Sequence, residues 1–297
     1  MSSPDSFHTI GLIGRKGSSQ VVDTLLALDA YLQKSGKRVI LETFTAEFLP
    51  THPGDRVVCE RGNLGKHCDL VIVVGGDGSM LGAARALSGQ SVPVLGINRG
   101  SLGFLTDIAP DEIERRVGEV LSGRYIREER FLLNACLLRA GEVVERSAAL
   151  NEVVLHRGSS LRMIEFELYL DGHFVYSQHS DGLVVSTPTG STAYALSGGG
   201  SILHPALDAI ALVPIFPHTL TSRPIVVSGN SRMRIVLSDY SGGQPELSCD
   251  GQVHFSLQAG DVIDVQKKPE TLQLIHPADH NYYDTCRSKL GWGSRLV

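Results

Sequence analysis

Residues 70–79, LVIVVGGDGS, carry the strongest structural signal of the chain. The apolar run that opens this stretch is typical of a strand buried on both faces of a parallel sheet. Three glycines surround Asp77 directly after the run, and glycine lets the backbone approach a ligand closely and take positive φ angles. Residues 79–87 have the pattern of a helix. The stretch therefore predicts a strand, a loop and a helix, with the loop at the carboxyl end of a strand, where open α/β sheets bind ligands.

Strand and helix patterns alternate on both sides of this stretch, through about residue 125. Short apolar runs predict strands at residues 8–13, 38–43 and 92–97. A helix is predicted at residues 111–121, and an earlier one where apolar side chains recur at helical spacing, at Val21, Leu25, Leu28 and Leu32. This alternation predicts an α/β domain over residues 1–130, with a mostly parallel sheet covered by helices.

The hydrophobic pattern changes after about residue 130. Residues 164–170, IEFELYL, alternate strictly between apolar and polar, and the following Asp171-Gly172 supplies a hairpin turn. We therefore predict an all-β, β-sandwich-like domain over residues 131–277. The tail, residues 278–297, has apolar side chains at helical spacing and is predicted to pack back on the first domain. The predicted fold class is α/β plus all-β.

The composition excludes several classes of protein. A chain of 297 residues is long enough for two domains, and 42 % apolar with 20 % charged residues excludes disorder and collagen. The net charge of −5 provides no basic field for nucleic acid or anionic lipid. No apolar run is long enough to span a membrane. Five cysteines without a C-x-x-C pair predict reduced thiols and a cytoplasmic location.

The glycine-rich loop has the composition of a phosphate site. Backbone N–H groups at a helix start bind anions, and we predict this role for Gly75, Gly76 and Gly78. Asp77 repels a phosphate, so it is predicted to accept a proton or to hold a metal ion beside one. A tight turn with Asp77 as a solvated cap is the structural alternative. The absence of G-x-x-x-x-G-K-[ST], H-R-D and D-F-G excludes P-loop ATPases and protein kinases.

Further segments resemble one family of kinases. The loop GGDG alone resembles that of NAD kinases, phosphofructokinases, and diacylglycerol and sphingosine kinases. Four further segments narrow the choice among these kinase families. They are LGINRGSLGFL at residues 95–105, NEVV at residues 151–154, SDGL at residues 180–183 and STPTGSTAY at residues 186–194. All of them resemble signatures of bacterial-type NAD kinases, in the order that this family shows.

The resemblance implies an activity. NAD kinases transfer the γ-phosphoryl group of ATP to the 2′-hydroxyl of the adenosine ribose of NAD, which gives NADP. A hydroxyl is a poor nucleophile, and Asp77 matches the family's general base, which removes the proton. Mg²⁺ or another divalent cation is expected to arrive with ATP, and the sequence shows no dedicated metal site. The implied partners are NAD, ATP and further copies of the chain, as a homodimer or homotetramer.

The resemblance also implies which residues contact NAD. Asn151 and Glu152 can hydrogen-bond the base or the ribose, and Tyr194 offers a ring face. Phe104 matches an aromatic that lies against the adenine. The predicted NAD-binding residues are Asp77, Gly78, Phe104, Asn151, Glu152, Arg162, His179, Asp181, Thr192, Ala193, Tyr194, Ser197 and Gln252.

Two other functions stay open at this stage. The first is a GGDG-type kinase for a lipid or a sugar. The segment STPTGSTAY and the absence of a basic amphipathic stretch for membranes argue against it. The second is a regulator that binds a dinucleotide without catalysis. Asp77 argues against this, because binding alone gains nothing from a carboxylate beside the phosphates.

Overall fold

The computed structural model describes residues 7–50, 57–100, 103–160, 162–238 and 244–292. The chain divides into two compact units, one comprising Met1–Glu129 and Leu272–Val297 and the other Arg130–Thr271. Of the predicted tail, residues 293–297 lie outside the described residues. Within the described part of the chain, no helix has the length and apolar character to cross a membrane.

The regular elements are numbered in chain order. The helices are α1 (Ser19–Lys34), α2 (Thr43–Phe48), α3 (Asp77–Leu87), α4 (Ile113–Leu121), α5 (Tyr194–Ser197) and α6 (Tyr282–Leu290). The strands are β1 (Thr9–Gly14), β2 (Arg38–Glu42), β3 (Val57–Cys59), β4 (Leu70–Gly75), β5 (Val94–Asn98), β6 (Tyr125–Arg139), β7 (Glu142–Ala149), β8 (Glu152–His156), β9 (Ile164–Leu170), β10 (His173–Ser180), β11 (Gly182–Ser186), β12 (Ala209–Ile215), β13 (Ile225–Ser228), β14 (Met233–Leu237), β15 (Glu246–Cys249), β16 (Val253–Ser256) and β17 (Val262–Pro277).

The first unit is built on a parallel sheet. Its strand order is β5-β4-β1-β2-β3, and the last part of β17, at Leu274 and Ile275, extends it beside β5. Every residue of β4 is buried, as its apolar run predicts. Helix α1 buries the four apolar residues that predicted it. Each leucine buried in this way contributes about 1.5–3 kcal/mol of stability.

Several boundaries in this unit differ from the prediction. Helix α3 begins at Asp77, two residues earlier than predicted, because Gly76 in extended conformation serves as its N-cap. An aspartate in the first turn is favourable beside the positive end of the helix dipole. The predicted helix at 111–121 begins as a 3-10 turn, Pro110–Glu112, before α4. Helix α2 and strand β3 were not predicted.

The predicted tail packs within the first unit. The Arg116 guanidinium of α4 makes paired hydrogen bonds of 2.7 and 2.9 Å to the Asp279 carboxylate, just before α6. Asn281 caps α6 by accepting a hydrogen bond from the Tyr283 N–H (2.9 Å). Gly291 ends the helix in the left-handed conformation, a common helix stop.

The second unit is a β-sandwich, as predicted. One antiparallel sheet has the order β13-β12-β11-β8-β15-β16, and a second contains β10-β9-β14-β17 and the pair β6-β7. Apolar side chains from both sheets form one core, for example Leu155 and Leu183 from the first and Phe166 and Ile235 from the second. The predicted hairpin joins β9 to β10, with positive φ at both Asp171 and Gly172.

The first of these sheets brings three sequence-distant segments together. Strand β8 lies between β11 and β15 and pairs antiparallel with both. The start of β8 therefore lies beside the ends of its two neighbours, with Glu152 opposite Ser186 and Val153 opposite Cys249. The segments NEVV and STPTGSTAY consequently share one edge with the turn that follows Cys249.

Candidate active site

The GGDG loop lies at the carboxyl edge of the parallel sheet. Strand β4 pairs with β1 on one side and β5 on the other, and it ends at Gly75, directly before the N-cap of α3. The Arg99 N–H, which follows β5, donates a 2.8 Å hydrogen bond to the Gly75 carbonyl. The loop is thereby fixed between two strand ends, where α/β sheets bind ligands.

The loop glycines provide space and do not adopt positive φ angles. None of Gly75, Gly76 and Gly78 has a positive φ, so this expectation from glycine's freedom is wrong. A Cβ at Gly75 would lie 2.3 Å from Ser79 Oγ, whereas a Cβ at Gly76 would meet nothing within 4 Å. The absence of a side chain at Gly75 therefore lets α3 begin tightly. At Gly76 it leaves the backbone accessible to a ligand.

The Asp77 carboxylate holds the neighbouring loop. Its two oxygens accept hydrogen bonds from the N–H groups of Phe104 (2.9 Å) and Leu105 (3.0 Å). A Cβ at Gly103 would come within 1.9 Å of Asp77 Oδ1, so glycine is required there. Each carboxylate oxygen keeps a further lone pair. Asp77 can therefore position Phe104 and still accept a proton.

Part of the predicted motif around Phe104 is not described. Ser101 and Leu102, in the segment NRGSLGF, lie outside the described residues. Phe104 itself is half-buried, which fits neither a fully buried core residue nor a free surface side chain.

Asn98, at the end of β5, is buried, and its Oδ1 has no hydrogen-bond partner among the described residues. This amide was not predicted as a site residue.

Asp250 organises the predicted site in the second unit. Its carboxylate accepts hydrogen bonds from the N–H groups of Leu150 (3.0 Å), Asn151 (2.8 Å) and Glu152 (3.3 Å). Asp250 is 7 % exposed and has a φ of +53°. It was missed in the sequence, where Asp250-Gly251 looks like an ordinary turn. The contact fixes the backbone that presents Asn151 and Glu152.

Asn151 and Glu152 present unused polar atoms. Asn151 Oδ1 and Glu152 Oε2 are both buried without a hydrogen-bond partner among the described residues. Burial raises the pKa of Glu152 to about 8, and the nearby Asp250 charge adds to the rise, while a hydrogen bond from the Tyr194 N–H opposes it. Glu152 is therefore protonated at neutral pH and can donate as well as accept. Buried polar atoms without partners are candidates for ligand contacts.

The raised pKa of Glu152 predicts a pH-dependent stability. The folded chain binds this proton up to about pH 8, whereas the unfolded chain releases it near pH 4.5. The stability that the folded chain gains from holding the Glu152 proton is therefore fully present below about pH 4.5 and is lost as pH rises through about 8. Glu152→Gln should remove this dependence, worth on the order of a few kcal/mol. Urea unfolding between pH 5 and 9 measures it. Parallel profiles for wild type and variant would contradict the assignment, and exposed Glu145→Gln is the control.

A cavity of about 430 Å³ opens beside these residues. Glu152, Asp181 and Tyr194 line it, together with Arg157 and Asp250. The Arg157 guanidinium lies 3.1 Å from the Asp181 carboxylate. Three predicted NAD-binding residues are thus brought together around one space. Arg157 was not predicted, because a lone arginine after a strand carries no sequence signal.

The segment STPTGSTAY contributes its last residue, Tyr194, to the cavity wall. Thr189–Thr192 forms a 3-10 turn, and α5 follows directly. Thr192 and Ala193 are half-buried, and Tyr194 is 47 % exposed. Ser197, one helical turn on, is exposed. The Tyr194 ring is therefore available on the cavity wall, while its N–H is engaged by Glu152.

Only Glu152, Asp181 and Tyr194 of the predicted NAD-binding residues line this cavity, and Arg162, His179 and Gln252 are among those that do not. His179 is exposed, and its imidazole lies 3.3 Å from the Glu165 carboxylate. Arg162 is exposed, and its N–H donates to Ser160 Oγ (3.0 Å). Gln252 is exposed in the turn between β15 and β16. Their contact with NAD stays a prediction, as do the roles of the other site residues.

The fold and the loop first define a class. A GGDG loop at the carboxyl edge of a parallel sheet, with a carboxylate at the helix start, is typical of small-molecule kinases of the GGDG type. Residues 10–125 match the model of the ATP-NAD kinase N-terminal domain, and residues 150–277 match that of the ATP-NAD kinase C-terminal domain. The chain belongs to the ATP-NAD kinase family.

Individual relatives agree with this membership. The chain is 62 % identical to the NAD kinase of Azotobacter vinelandii and 61 % identical to that of Pseudomonas aeruginosa, over 98 % of both chains in each case. The solved structure of yeast NADH kinase with NADH aligns with a TM-score of 0.89 at 26 % identity, over 99 % of this chain and 90 % of that one. An NAD kinase from Archaeoglobus fulgidus in complex with ATP aligns with a TM-score of 0.73 at 24 % identity, over 94 % and 99 %, and supports the fold.

Proposed function

We propose that this chain transfers the γ-phosphoryl group of ATP to the 2′-hydroxyl of the adenosine ribose of NAD, giving NADP and ADP. The observation that carries the proposal is the Asp77 carboxylate, held at the start of α3 by the Phe104 and Leu105 N–H groups. Membership of the ATP-NAD kinase family and relatives named NAD kinase supply the substrate. The alternatives of a lipid or sugar kinase and of a regulator gain no support from the comparisons.

In this proposal Asp77 is the general base. It accepts the proton of the 2′-hydroxyl as the oxygen bonds to the γ-phosphorus, and ADP leaves. Its two backbone hydrogen bonds fix the carboxylate in place before the substrate arrives. A fixed carboxylate loses no further freedom in the transition state. The same contacts place Phe104 for the adenine.

ATP is proposed to enter as its Mg²⁺ complex. Gly76, with open space at its Cβ position, and Gly78, in the first turn of α3, offer the backbone to the phosphates, next to Gly75. Oxygen ligands suit Mg²⁺, and the ATP phosphates would supply them, which leaves the Asp77 carboxylate to act as the base. When bound, the cation would neutralise charge that develops on the phosphates. Another divalent cation of similar size can serve in the same way.

NAD is proposed to be bound in the second unit by three residues of the cavity wall, Glu152, Asp181 and Tyr194, and by neighbours of these residues in the sequence. The unpartnered Asn151 Oδ1 can accept from the base, and protonated Glu152 can donate to a ribose oxygen. Asp181 can accept from hydroxyls, and its pairing with Arg157 holds the carboxylate in position. The Tyr194 ring supplies a stacking face. Thr192, Ala193 and Ser197 complete this proposed set.

Tyr194→Ala should raise the KM for NAD more than it lowers kcat. The ring contacts the substrate equally in the ground state and the transition state, so its loss removes uniform binding energy. Stacking of a base on an aromatic ring is worth roughly 1–3 kcal/mol, or about 5- to 150-fold in KM. Steady-state kinetics measure the effect. Tyr283→Ala removes a similarly exposed ring (54 % against 47 %) on α6 and should change nothing. An unchanged KM for Tyr194→Ala would assign this ring a structural role.

A panel of acceptors tests the proposed function. Purified chain is incubated with Mg²⁺ and ATP labelled at the γ-phosphate, and separately with NAD, NADH, diacylglycerol, sphingosine and fructose 6-phosphate. Label should appear in the dinucleotide only. Label in a lipid or sugar would support the second kinase type, and NAD binding without turnover would support a regulator. The same panel, with polyphosphate in place of ATP, defines the donor range.

We also propose a cytoplasmic location and assembly as a homodimer or homotetramer. All five cysteines are free thiols, which suits a reducing compartment. The family resemblance supplies the oligomeric states. Light scattering coupled to gel filtration decides between two and four chains, and a monomer would contradict the assembly.

A further inference from the structure

Two histidines and an aspartate form a buried cluster in the first unit, away from the GGDG loop residues themselves. Asp107 follows β5, His276 lies near the end of β17, and His280 precedes α6. Their side chains are 13 %, 1 % and 8 % exposed. Asp107 and His276 are separated by 169 residues in the sequence, so no local motif reveals this cluster.

The ligand atoms of this cluster converge. His276 Nδ1 hydrogen-bonds to Asp107 Oδ2, and His280 Nδ1 lies 3.4 Å from the same oxygen. The two imidazole rings stack with centroids 4.1 Å apart and an angle of 21°. One donor atom from each residue lies within 4.8 Å of the others. Ligands about 2.0–2.2 Å from a tetrahedral Zn²⁺ are separated by roughly 3.3–3.6 Å, so little movement admits the ion.

The Glu128 carboxylate lies beside the nitrogen of His276 that does not face Asp107. Glu128 Oε2 lies 3.7 Å from His276 Nε2, on the side of the ring away from Asp107. A metal-binding histidine typically donates its other N–H to a carboxylate, which fixes the tautomer.

We propose that Asp107, His276 and His280 bind a divalent transition metal ion, of which Zn²⁺ is the best fit, with water as the fourth ligand and Glu128 orienting His276. Two imidazoles and one carboxylate suit Zn²⁺ and not Mg²⁺, which prefers oxygen ligands only. This ion is separate from the Mg²⁺ that accompanies ATP. The proposal does not rest on the proposed reaction.

The bound ion would connect the C-terminal segment to the loop that contacts Asp77. Asp107 lies two residues after Leu105, whose N–H donates to Asp77. Ile108 is fixed to β5 because its carbonyl accepts the Asn98 N–H at 2.8 Å. The ion would therefore join residues 103–108 to β17 and the start of α6. Because it binds the folded chain, it should raise the melting temperature.

A second cluster in the described residues serves as the internal control. His156, Glu246 and His254, in the second unit, also have donor atoms within 4.8 Å of one another. His156 Nδ1 accepts the Gly158 N–H (3.2 Å), so Nε2 carries the proton and faces Glu246 as a donor at 3.8 Å. His254 and Glu246 are 52 % and 38 % exposed, so this second cluster is open to water, whereas the three residues of the first cluster are at most 13 % exposed.

The test uses the untagged full chain, stripped with a chelator and titrated with Zn²⁺ by calorimetry. We expect a 1:1 stoichiometry and a higher melting temperature. Co²⁺ as a spectroscopic probe should give the visible bands of a tetrahedral site. His280→Asn should lower the Zn²⁺ affinity at least 100-fold, and Glu128→Gln, which leaves the ligands in place, about 10- to 100-fold. His254→Asn should leave the affinity unchanged.

Binding that is lost in His254→Asn and retained in His280→Asn would overturn the proposal. So would the absence of Zn²⁺ binding to the wild-type chain, or an affinity that Glu128→Gln does not change. The wild-type titration and Glu128→Gln keep the test decisive if His280→Asn fails to fold. None of these readouts measures NADP formation, so failure here is distinct from failure of the proposed function.

Discussion

Asp77→Asn should lower kcat for NADP formation by roughly 10²–10⁴, because an amide cannot accept the proton of the 2′-hydroxyl. The structure adds a second effect. Both oxygens of Asp77 accept a backbone N–H, and an amide has only one acceptor oxygen. The amide NH₂ must therefore face one of the two N–H groups. We consequently expect the KM for NAD to rise as well, because Phe104 is held less firmly.

The control for Asp77→Asn lies at the other end of the same strand. The exposed carboxylate of Asp69 accepts the N–H groups of His8 (2.9 Å) and Thr9 (2.8 Å) and has no proposed part in catalysis. Asp69→Asn should leave kcat near the wild-type value.

Kinetics over a Mg²⁺ series and one melting curve separate the possible roles of Asp77. Recovery at high Mg²⁺ would indicate a metal ligand, and a lower melting temperature with normal kcat would indicate a cap. More than about a tenth of wild-type kcat would mean that another group takes the proton.

Asp250→Ala should be the most damaging change in the second unit. It leaves three backbone N–H groups, those of Leu150, Asn151 and Glu152, without their acceptor, and two of these hydrogen bonds are fully buried. Hydrogen bonds to a charged group are worth about 1.5–3 kcal/mol, so the free energy of unfolding should fall by roughly 3 kcal/mol or more. Asn151 and Glu152 lose their fixed positions, and kcat/KM for NAD should fall by about 10².

A second buried aspartate separates the two effects of Asp250→Ala. Asp261, 1 % exposed, accepts hydrogen bonds from Arg139 (2.7 Å) and from the Gln258 N–H (2.8 Å) and does not line the cavity. Asp261→Ala should destabilise the chain comparably and leave the KM for NAD unchanged. Chemical unfolding and steady-state kinetics on both variants measure this. Equal effects of the two substitutions on KM would reduce Asp250 to a purely structural role.

Local sequence patterns predicted the elements that are long or strongly patterned. The apolar run of β4 and the spacing of Val21, Leu25 and Leu28 in α1 report burial directly, because each pattern matches its element's period. Helix α2 was missed for a physical reason. It is six residues long, too short to show a clear helical period, and its N-cap is Glu42, which accepts the Thr45 N–H (2.8 Å) but is not a residue type that usually marks a helix start.

The site was predictable only where its residues form a motif. Asp77, Glu152 and Tyr194 stand in the contiguous segments GGDG, NEVV and STPTGSTAY, and the resemblance of these segments to family signatures predicted them. Asp250 lies about 100 residues from the N–H groups that it binds, and only sheet pairing brings the two segments together. Arg157 is likewise revealed as a site residue only by its distance to Asp181. Contacts of this kind depend on which strands lie side by side in the folded chain, and a local sequence pattern does not show that.

The central claim is the transfer of phosphate from ATP to the 2′-hydroxyl of NAD, and phosphorus NMR of the reaction mixture tests it most directly. Purified chain with NAD, ATP and Mg²⁺ should produce ADP and one new phosphomonoester in equal amounts. Coupling of that phosphorus to the proton on C2′ of the adenosine ribose should identify the product as NADP. Release of inorganic phosphate without a new ester, or an ester on any other hydroxyl, would contradict the account.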